Sequence, residues 1–417
     1  MTSISTAFRR HGSRAFVFLT GSTLSNLVAA ISGLLLARWL SVPDYALYTV
    51  MLTLIGAMNV LTKGGAHLGY TAILGRVWPD KIRAAEAIKA VLRARLIISA
   101  LVLPPIVLGT AWLLRENGAG GSTIIVLCAL LVLLWWAEMQ TRLVDQILFF
   151  AHQTSRVQLL DTALSAFRLG VIVLLYLGDI LSVEAAIAIA VLVSFLRIRP
   201  ILNWVRKLVS YRSATIKDVD ALEIRTSVYR QFPVEIYYVF QAQIVLFVIS
   251  TFASVNEVAS YGALSRIAQF LSPLESFTFA FFVPVFARAN ERLGRILLLM
   301  VALISLPGLG LFVMSLVLPE ALLWLVGDNY AHLTKEIAMM ALLVTFTRAS
   351  STLWSLVANK GWVRFSWLQI PLGLIWCAVA PFWIDLSQLS GAMLLQAGFP
   401  LALSVAALVD FSHARLR

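Results

Sequence analysis

The chain is short of charged residues. Asp, Glu, Lys and Arg make up 13% of its 417 residues, whereas 60% are hydrophobic, and the mean hydropathy is +0.87. Soluble domains carry roughly 25% charged residues, and no aqueous fold of this composition could keep its apolar surface from water. The composition therefore excludes a soluble protein and indicates a chain whose solvent is lipid.

Cysteine and histidine are also scarce. The two cysteines, Cys128 and Cys377, lie far apart inside apolar segments, which excludes a disulfide framework. The five histidines have no metal-ligand spacing, and the sequence has neither a nucleotide-binding glycine-rich loop nor a Ser/His/Asp arrangement that could be assembled. We therefore expect no metal, no cofactor and no enzymatic activity, and bound ATP is excluded as an energy source.

Long apolar runs dominate what is present. About 20 apolar residues cross a bilayer as a helix, so the sequence predicts an all-α polytopic membrane protein with twelve transmembrane helices. The predicted spans cover residues 15–37, 45–75, 90–114, 122–148, 155–178, 183–203, 226–252, 257–287, 293–318, 335–358, 362–384 and 387–409. Irregular backbone cannot face lipid, so each span should be helical.

The net charge of +12 has the distribution of a membrane protein rather than of a nucleic-acid-binding one. Lys and Arg are concentrated in alternate gaps between spans, and such gaps are cytoplasmic. We therefore predict a multi-pass protein of the bacterial inner membrane, with both termini cytoplasmic, membrane lipids around it and no nucleic acid partner. The basic stretch 81–95 is interpreted either as a lipid-headgroup-binding amphipathic helix or, preferably, as a cytoplasmic extension of the third span.

The two halves of the chain resemble each other. Residues 44–76 align with residues 257–288: Asp44 and Glu257 each precede a tyrosine, Tyr48 or Tyr261, by four residues, and an arginine ends each segment. Repeated bundles in the same direction imply a pseudo-two-fold axis along the membrane normal, with a cleft between them. The predicted domains are an N-terminal six-helix bundle, a cytoplasmic linker and a C-terminal six-helix bundle, at residues 1–204, 205–225 and 226–417.

Three segments carry a family resemblance. "LLLARWLSVPDYALYTV" (34–50), "LTKGGAHLGYTAILGR" (61–76) and "VASYGALSRIAQFLSPLESFTFAFFVPVFAR" (258–288) resemble segments of Wzx-type bacterial polysaccharide flippases, members of the MOP exporter superfamily. The resemblance implies transport of a polyprenyl-diphosphate-linked oligosaccharide from the cytoplasmic to the periplasmic leaflet by alternating access. It also implies contact with other polysaccharide-assembly proteins of O-antigen or exopolysaccharide biosynthesis. The chain departs from the family in being short, with compact loops.

Polar side chains within the spans are the candidate substrate site. A charge at the centre of a span costs about 2.5–3.5 kcal/mol on insertion scales, so such residues face a protein interior or a wet cavity. The eighth span carries a polar stripe at helical spacing, and the same face is polar 213 positions earlier in the second span. Cations there suit a lipid diphosphate, because guanidinium binds phosphate in a bidentate manner. The candidates are Arg266, Gln269, Lys63, Arg168, Arg348, Asn26 and Asn59.

For each of these cations, the alternative interpretation is a structural ion pair. Three carboxylates are candidates for ion coupling: Glu275, Asp161 and Glu235. Glu275 is either such a coupling site or a partner within its bundle, and Arg348 faces either the cleft or Glu275. A triplet spaced i, i+4 and i+7 near the end of the fourth span can neutralise itself and favours a structural role: Glu138, Arg142 and Asp145.

Other functions remain as alternatives. A cation-coupled multidrug exporter of the same superfamily is the stronger rival, although it would favour acidic residues in the cleft. A membrane glycosyltransferase or polysaccharide polymerase needs acidic or histidine residues on a sizeable extracytoplasmic loop. The largest loop of that kind, about residues 319–334, is short and mostly apolar, which disfavours both enzymes.

Overall fold

The computed structural model describes residues 24–210, 214–271, 274, 278, 282–289 and 291–415, and these residues form helices and no strands. We number the α-helices in chain order. They are α1 Leu24–Trp39, α2 Val42–Leu61, α3 Ala66–Val77, α4 Lys81–Glu116, α5 Gly121–Thr141, α6 Gln146–Phe150, α7 Thr154–Leu177, α8 Val183–Leu208, α9 Asp218–Phe252, α10 Val255–Gln269, α11 Val283–Arg288, α12 Leu293–Val317, α13 Pro319–Val326, α14 Thr334–Asn359, α15 Gln369–Val379 and α16 Leu389–Arg415.

The helices confirm the predicted fold class. Within the described residues, nine helices are long and apolar enough to cross a membrane, and two shorter apolar helices, Leu24–Trp39 and Ser366–Phe382, add to them. Each of the twelve predicted spans coincides with helix over at least part of its length. The chain is therefore an all-helical, polytopic membrane protein, and twelve spans are consistent with it.

The basic stretch 81–95 lies at the start of α4. Asp80 caps this helix, because its carboxylate accepts hydrogen bonds from the backbone N–H groups of Ile82 (2.9 Å) and Arg83 (3.1 Å). These two hydrogen bonds hold the pKa of Asp80 below its usual value, and the bond from Arg83 has the larger effect. The helix then runs unbroken for 36 residues, so the basic stretch continues the third span as helix, and its contact with lipid headgroups stays a prediction.

The packing of the helices divides the chain into two compact units. The central unit comprises Pro43–Gln243, and the terminal unit comprises the described residues of Met1–Val42 together with Ile244–Arg417. This grouping differs from the predicted bundles, 1–204 and 226–417. The physical reason is that α1 packs within the terminal unit and most of α9 within the central unit. The division into two six-helix bundles stays a prediction.

In the central unit, α8 packs against α5 and α7, while α4 packs against α3 and α5. The predicted linker 205–225 is largely helical, since α8 continues to Leu208 and α9 begins at Asp218. The start of α9 is fixed to the start of α4 by a bidentate ion pair: Arg83 donates to both carboxylate oxygens of Asp220, over 2.9 and 3.0 Å. Asp220 is buried, so this connection is part of the central unit.

In the terminal unit, α14 packs against α12 and α16, and α15 packs against α16. The core between these helices is aromatic and aliphatic. It contains Phe282, Phe286, Leu297, Ile304, Leu353, Leu356, Val357, Ala407 and Phe411. Burial of this apolar set holds the three long helices together without any charged residue among them.

The structure extends the internal repeat beyond the aligned segments. Helix α10 begins 213 residues after α2, and α14 begins 213 residues after α5. Helix α12 begins 212 residues after α4. A nearly constant offset across three helix pairs means that both halves have the same succession of helices, as expected for a repeat in the same direction.

Candidate functional site

Two spans of the central unit are interrupted, and the interruptions were not predicted. Residues 62–65 separate α2 from α3, and residues 142–145 separate α5 from α6. Gly64 (φ 51°) and Gly65 (φ 79°) adopt the left-handed conformation that side chains disfavour. Interrupted helices in transporters supply backbone and side-chain groups to ion and substrate sites.

Charged side chains gather around these two breaks. We call this set the charge cluster: Lys63, Arg95, Glu138, Arg142, Asp145, Asp161, Arg197 and Glu235. Four of its members, Arg95, Glu138, Asp145 and Arg197, are less than 9% exposed. Charges this deep in a membrane protein require partners or water, so the contacts of the cluster determine what it can do.

Arg197 on α8 is the centre of the ion pairs. Its Nη2 donates to Asp145 Oδ2 over 2.8 Å, and its Nε donates to Asp161 Oδ1 over 2.7 Å. One guanidinium therefore links α8 to α7 and to the turn after α5. Asp161, a predicted coupling carboxylate, is thus held in an ion pair.

Arg95 on α4 is fully buried beside the second break. Its Nη1 donates to the carbonyl oxygens of Glu138 (3.3 Å) and Met139 (3.4 Å). Its Nε and Nη2 have no hydrogen-bond partner among the described residues, nor has Oε2 of Glu138. Buried charged groups whose donor or acceptor atoms have no protein partner require hydrogen bonds from water or a ligand.

The predicted triplet is confirmed only in part. Arg142 donates to Glu138 over 3.3 Å, as the i, i+4 spacing predicts. Asp145 instead pairs with Arg197, because the helix stops at residue 141 and the turn redirects its side chain. The triplet therefore does not neutralise itself within one helix.

Lys63 and Glu235 join the cluster from the first break and from α9. Lys63 interacts electrostatically with Arg95, Arg142, Glu138 and Asp145. Glu235 is half-buried, interacts with Lys63 and bonds to Gln231. Gln231 also lies against Gly65: a Cβ added to Gly65 would lie 2.4 Å from the Cβ of Gln231. Within the described part of the chain, Glu235 is the only carboxylate of the cluster with no ion pair within 4.0 Å.

The other predicted residues of the central unit have partial hydrogen bonding. Arg168 on α7 donates to the hydroxyl of Tyr48 on α2 over 3.0 Å. Its buried Nε has no partner among the described residues, and the same holds for Oδ1 of Asn59. Both side chains are therefore available for water or a ligand.

The described predicted residues of the terminal unit lie on three helices, α1, α10 and α14. Arg266, in the last turn of α10, is 9% exposed and lies against Gly33 of α1. Gln269 and Asn26 are exposed, and Arg348 on α14 is half-buried. Glu275 lies outside the described residues, so the proposals about it and about an Arg348–Glu275 pair stay predictions.

Two residues of the cluster were missed by the sequence analysis. Arg95 and Arg197 lie near the basic ends of the predicted spans 90–114 and 183–203, where the charge pattern groups them with the cytoplasmic basic residues. The structure buries both beside carboxylates of neighbouring helices. Their signal in the sequence is weak, because a basic residue at the end of a span looks the same whether it faces water or a neighbouring helix.

Comparison with solved structures identifies the fold. The chain is similar to an inward-facing multidrug resistance MATE family transporter of the MOP superfamily, with a TM-score of 0.65, 16% identity, and coverage of 97% of this chain and 98% of that one. An outward-facing structure of such a transporter gives a TM-score of 0.64, 16% identity and coverage of 97% and 94%. The Vibrio cholerae MATE transporter VcmN in the bent form gives a TM-score of 0.56, 14% identity and coverage of 100% and 99%.

These similarities show that the chain has a MATE-like transporter fold. No protein-family profile and no curated protein matches the sequence. The similar structures are transporters, and the expected absence of catalysis stays a prediction.

Proposed function

We propose that the protein is a secondary transporter of the MOP superfamily that works by alternating access without ATP. The observation that carries the proposal is the buried charge cluster at two helix breaks within a MATE-like fold. Transporters place coupling-ion sites at interrupted helices, and the similar structures include inward-facing and outward-facing conformations. Location in the bacterial inner membrane with both termini cytoplasmic is part of this proposal.

The cation-coupled multidrug exporter, the rival in the sequence analysis, has better support than the lipid-linked oligosaccharide flippase. The similar solved structures are multidrug resistance transporters. Such an exporter needs a carboxylate that binds and releases a cation during the cycle. Glu235 suits this role, because the other carboxylates of the cluster are held by arginines.

Protonation of Glu235 supplies a physical link to the helix break. When Glu235 is charged it attracts Lys63, and when it is protonated that attraction is lost. Lys63 belongs to the break between α2 and α3, and Gln231, which bonds Glu235, contacts the same break at Gly65. A cation that binds one state of this pair more tightly shifts the equilibrium between transporter conformations.

The flippase is the second candidate, and the cations of the chain favour it. Arg168 and Arg95 have buried nitrogen atoms without partners among the described residues, which suits phosphate oxygens. The segments that resemble Wzx-type flippases include Arg266. A charge-assisted contact to phosphate contributes about 1.5–3 kcal/mol, so Arg168→Ala would weaken binding of a lipid diphosphate roughly ten- to a hundred-fold.

One experiment separates the two candidates. Purified protein in proteoliposomes is given either a fluorescent organic cation under an imposed proton or sodium gradient, or a fluorescent polyprenyl-diphosphate oligosaccharide. Gradient-driven movement of the cation supports the exporter. Transbilayer movement of the lipid-linked sugar without dye movement assigns the flippase, and movement of neither contradicts a transport function for the purified chain.

A further inference from the structure

A groove lies between α4 and α9 in the central unit, and no member of the charge cluster is among its lining residues. Its volume is about 650 Å³, within the range of ligand pockets. Its wall is mainly apolar and includes Ile97 and Leu101 of α4 and Phe232 of α9. Ile97 and Leu101 are 58% and 74% exposed, so the groove is open toward the surroundings of the unit and accessible to lipid.

Two arginines lie at the polar end of this groove. Arg93 of α4 is exposed and has no ion pair or hydrogen bond in the part of the chain that the structure describes. Arg225 of α9 is oriented by Tyr229, because its Nη2 donates to the hydroxyl over 3.1 Å and its guanidinium lies 5.3 Å from the ring centroid. Both arginines precede the apolar part of their helix, which is the depth of lipid headgroups.

Two other cavities of the central unit lack this combination. A cavity of about 540 Å³ further along α4 is lined by apolar residues, Ser99 and Trp135, and has no cation. A cavity of about 380 Å³ at the end of α8 has two arginines, Arg199 and Arg206, but only two aliphatic side chains. Only the α4–α9 groove, among these three, joins paired guanidinium groups to an extended apolar wall.

We propose that the α4–α9 groove binds one anionic phospholipid of the surrounding bilayer. Arg93 and Arg225 hold the phosphate, for which guanidinium has the matching geometry and charge. An acyl chain lies along Ile97 and Leu101. The occupant is assigned by charge complementarity: a zwitterionic lipid would fill the apolar wall equally well but would gain less from two unpaired positive charges.

The groove also reaches the first helix break. Phe232 lines the groove and contacts the break on its other side, since an added Cβ on Gly64 would lie 3.1 Å from its Cδ2. Glu235 follows on the next turn of α9. A lipid in the groove therefore restrains the helix that carries the proposed coupling carboxylate. Binding itself does not depend on the proposed transport function.

Native mass spectrometry of the full chain in detergent tests the proposal, with dioleoyl phosphatidylglycerol and dioleoyl phosphatidylcholine as the probes. Wild type should retain one phosphatidylglycerol in preference to phosphatidylcholine. Each arginine near a bilayer surface contributes a preference of roughly five-fold, so Arg93→Ala with Arg225→Ala should reduce that preference by roughly twenty-five-fold. Both side chains are exposed, and the variant should fold normally.

The matched control removes two arginines from the cavity that lacks the apolar wall, as Arg199→Ala with Arg206→Ala. It has the same net charge as the test variant and should keep the wild-type preference. Equal retention of the two lipids by wild type, or equal loss in both double variants, would overturn the proposal. Stronger arginine-dependent retention of polyprenyl phosphate than of phosphatidylglycerol would also contradict the assignment to a bilayer phospholipid.

Discussion

Arg266 fills the space beside Gly33: the arginine Cδ lies 2.7 Å from the position that a Cβ on Gly33 would occupy. Both residues belong to the terminal unit, Gly33 in α1 and Arg266 in α10. The glycine lets the two helices approach closely, as small residues do in membrane proteins. Part of the side chain of Arg266, the predicted substrate-binding arginine, therefore packs against the neighbouring helix α1.

A methyl group at residue 33 should disturb the packing of Arg266 against α1. Gly33→Ala should destabilise the protein by about 1–3 kcal/mol, because overpacking forces a buried side chain to move. The thermal midpoint in detergent measures the loss, and Arg266→Ala should relieve it in the double variant. Gly109→Ala is the control, since nothing lies within 4 Å of its added Cβ. An equal loss in both glycine variants would contradict the close approach.

Removal of Arg197 should be far more harmful than removal of its neighbour. Arg197→Gln leaves Asp145 buried without its partner, and breaking a buried ion pair costs about 3–5 kcal/mol. We expect low abundance in the membrane and a reduced thermal midpoint, partly restored by Asp145→Asn in the double variant. Arg199→Gln, on an exposed side chain of the same helix, should have little effect. Similar losses in both single variants would count against the ion pairs described above.

The spans could be predicted closely from the sequence. The fifth was expected at 155–178 and is Thr154–Leu177, and the ninth was expected at 293–318 and is Leu293–Val317. Hydropathy and turn residues determine these bounds, and both are local properties. The grouping of α1 and α9 depends on contacts between distant segments, which the local pattern does not contain.

The candidate site was only partly predictable. Lys63, Asp161 and Glu235 were singled out as charges within spans, and they do join one cluster. The breaks were missed because residues 61–66 and 141–146 lie inside long apolar segments, although the pair Gly64 and Gly65 was a signal. Which carboxylate is held by Arg197 and which stays without an ion pair depends on packing between helices, and a single sequence does not specify that packing.

The connection between α8 and α9 should depend on one carboxylate. Asp220→Asn removes the charge that pairs with Arg83, and hydrogen bonds to charged groups contribute about 1.5–3 kcal/mol. Trypsin should then cleave the segment 209–217 faster than in wild type. Asp218→Asn is the control, because it removes an exposed acid from the same first turn and tests the helix dipole alone. Cleavage at the same rate in both variants would show that the pair does not secure the segment.

The charge pattern predicts the orientation in the membrane. A reporter that is active only in the periplasm should be active when fused after Ala119 or Asp328. It should be inactive when fused after Ser213 or Asn290, because the basic gaps stay in the cytoplasm. Activity after Ser213 would overturn the predicted topology, including the cytoplasmic termini.

The most direct test of the account is gradient-driven transport by a Glu235→Gln variant in proteoliposomes. The central claim is that Glu235 gains and loses a cation while the remaining carboxylates of the cluster stay paired. Glu235→Gln should fold normally but lose movement of an organic cation driven by a pH gradient, and Glu235→Asp should keep part of that movement. Glu116→Gln, at an exposed position in the last turn of α4, is the control and should match wild type. Full gradient-driven transport by Glu235→Gln, with the same pH dependence as wild type, would contradict the claim.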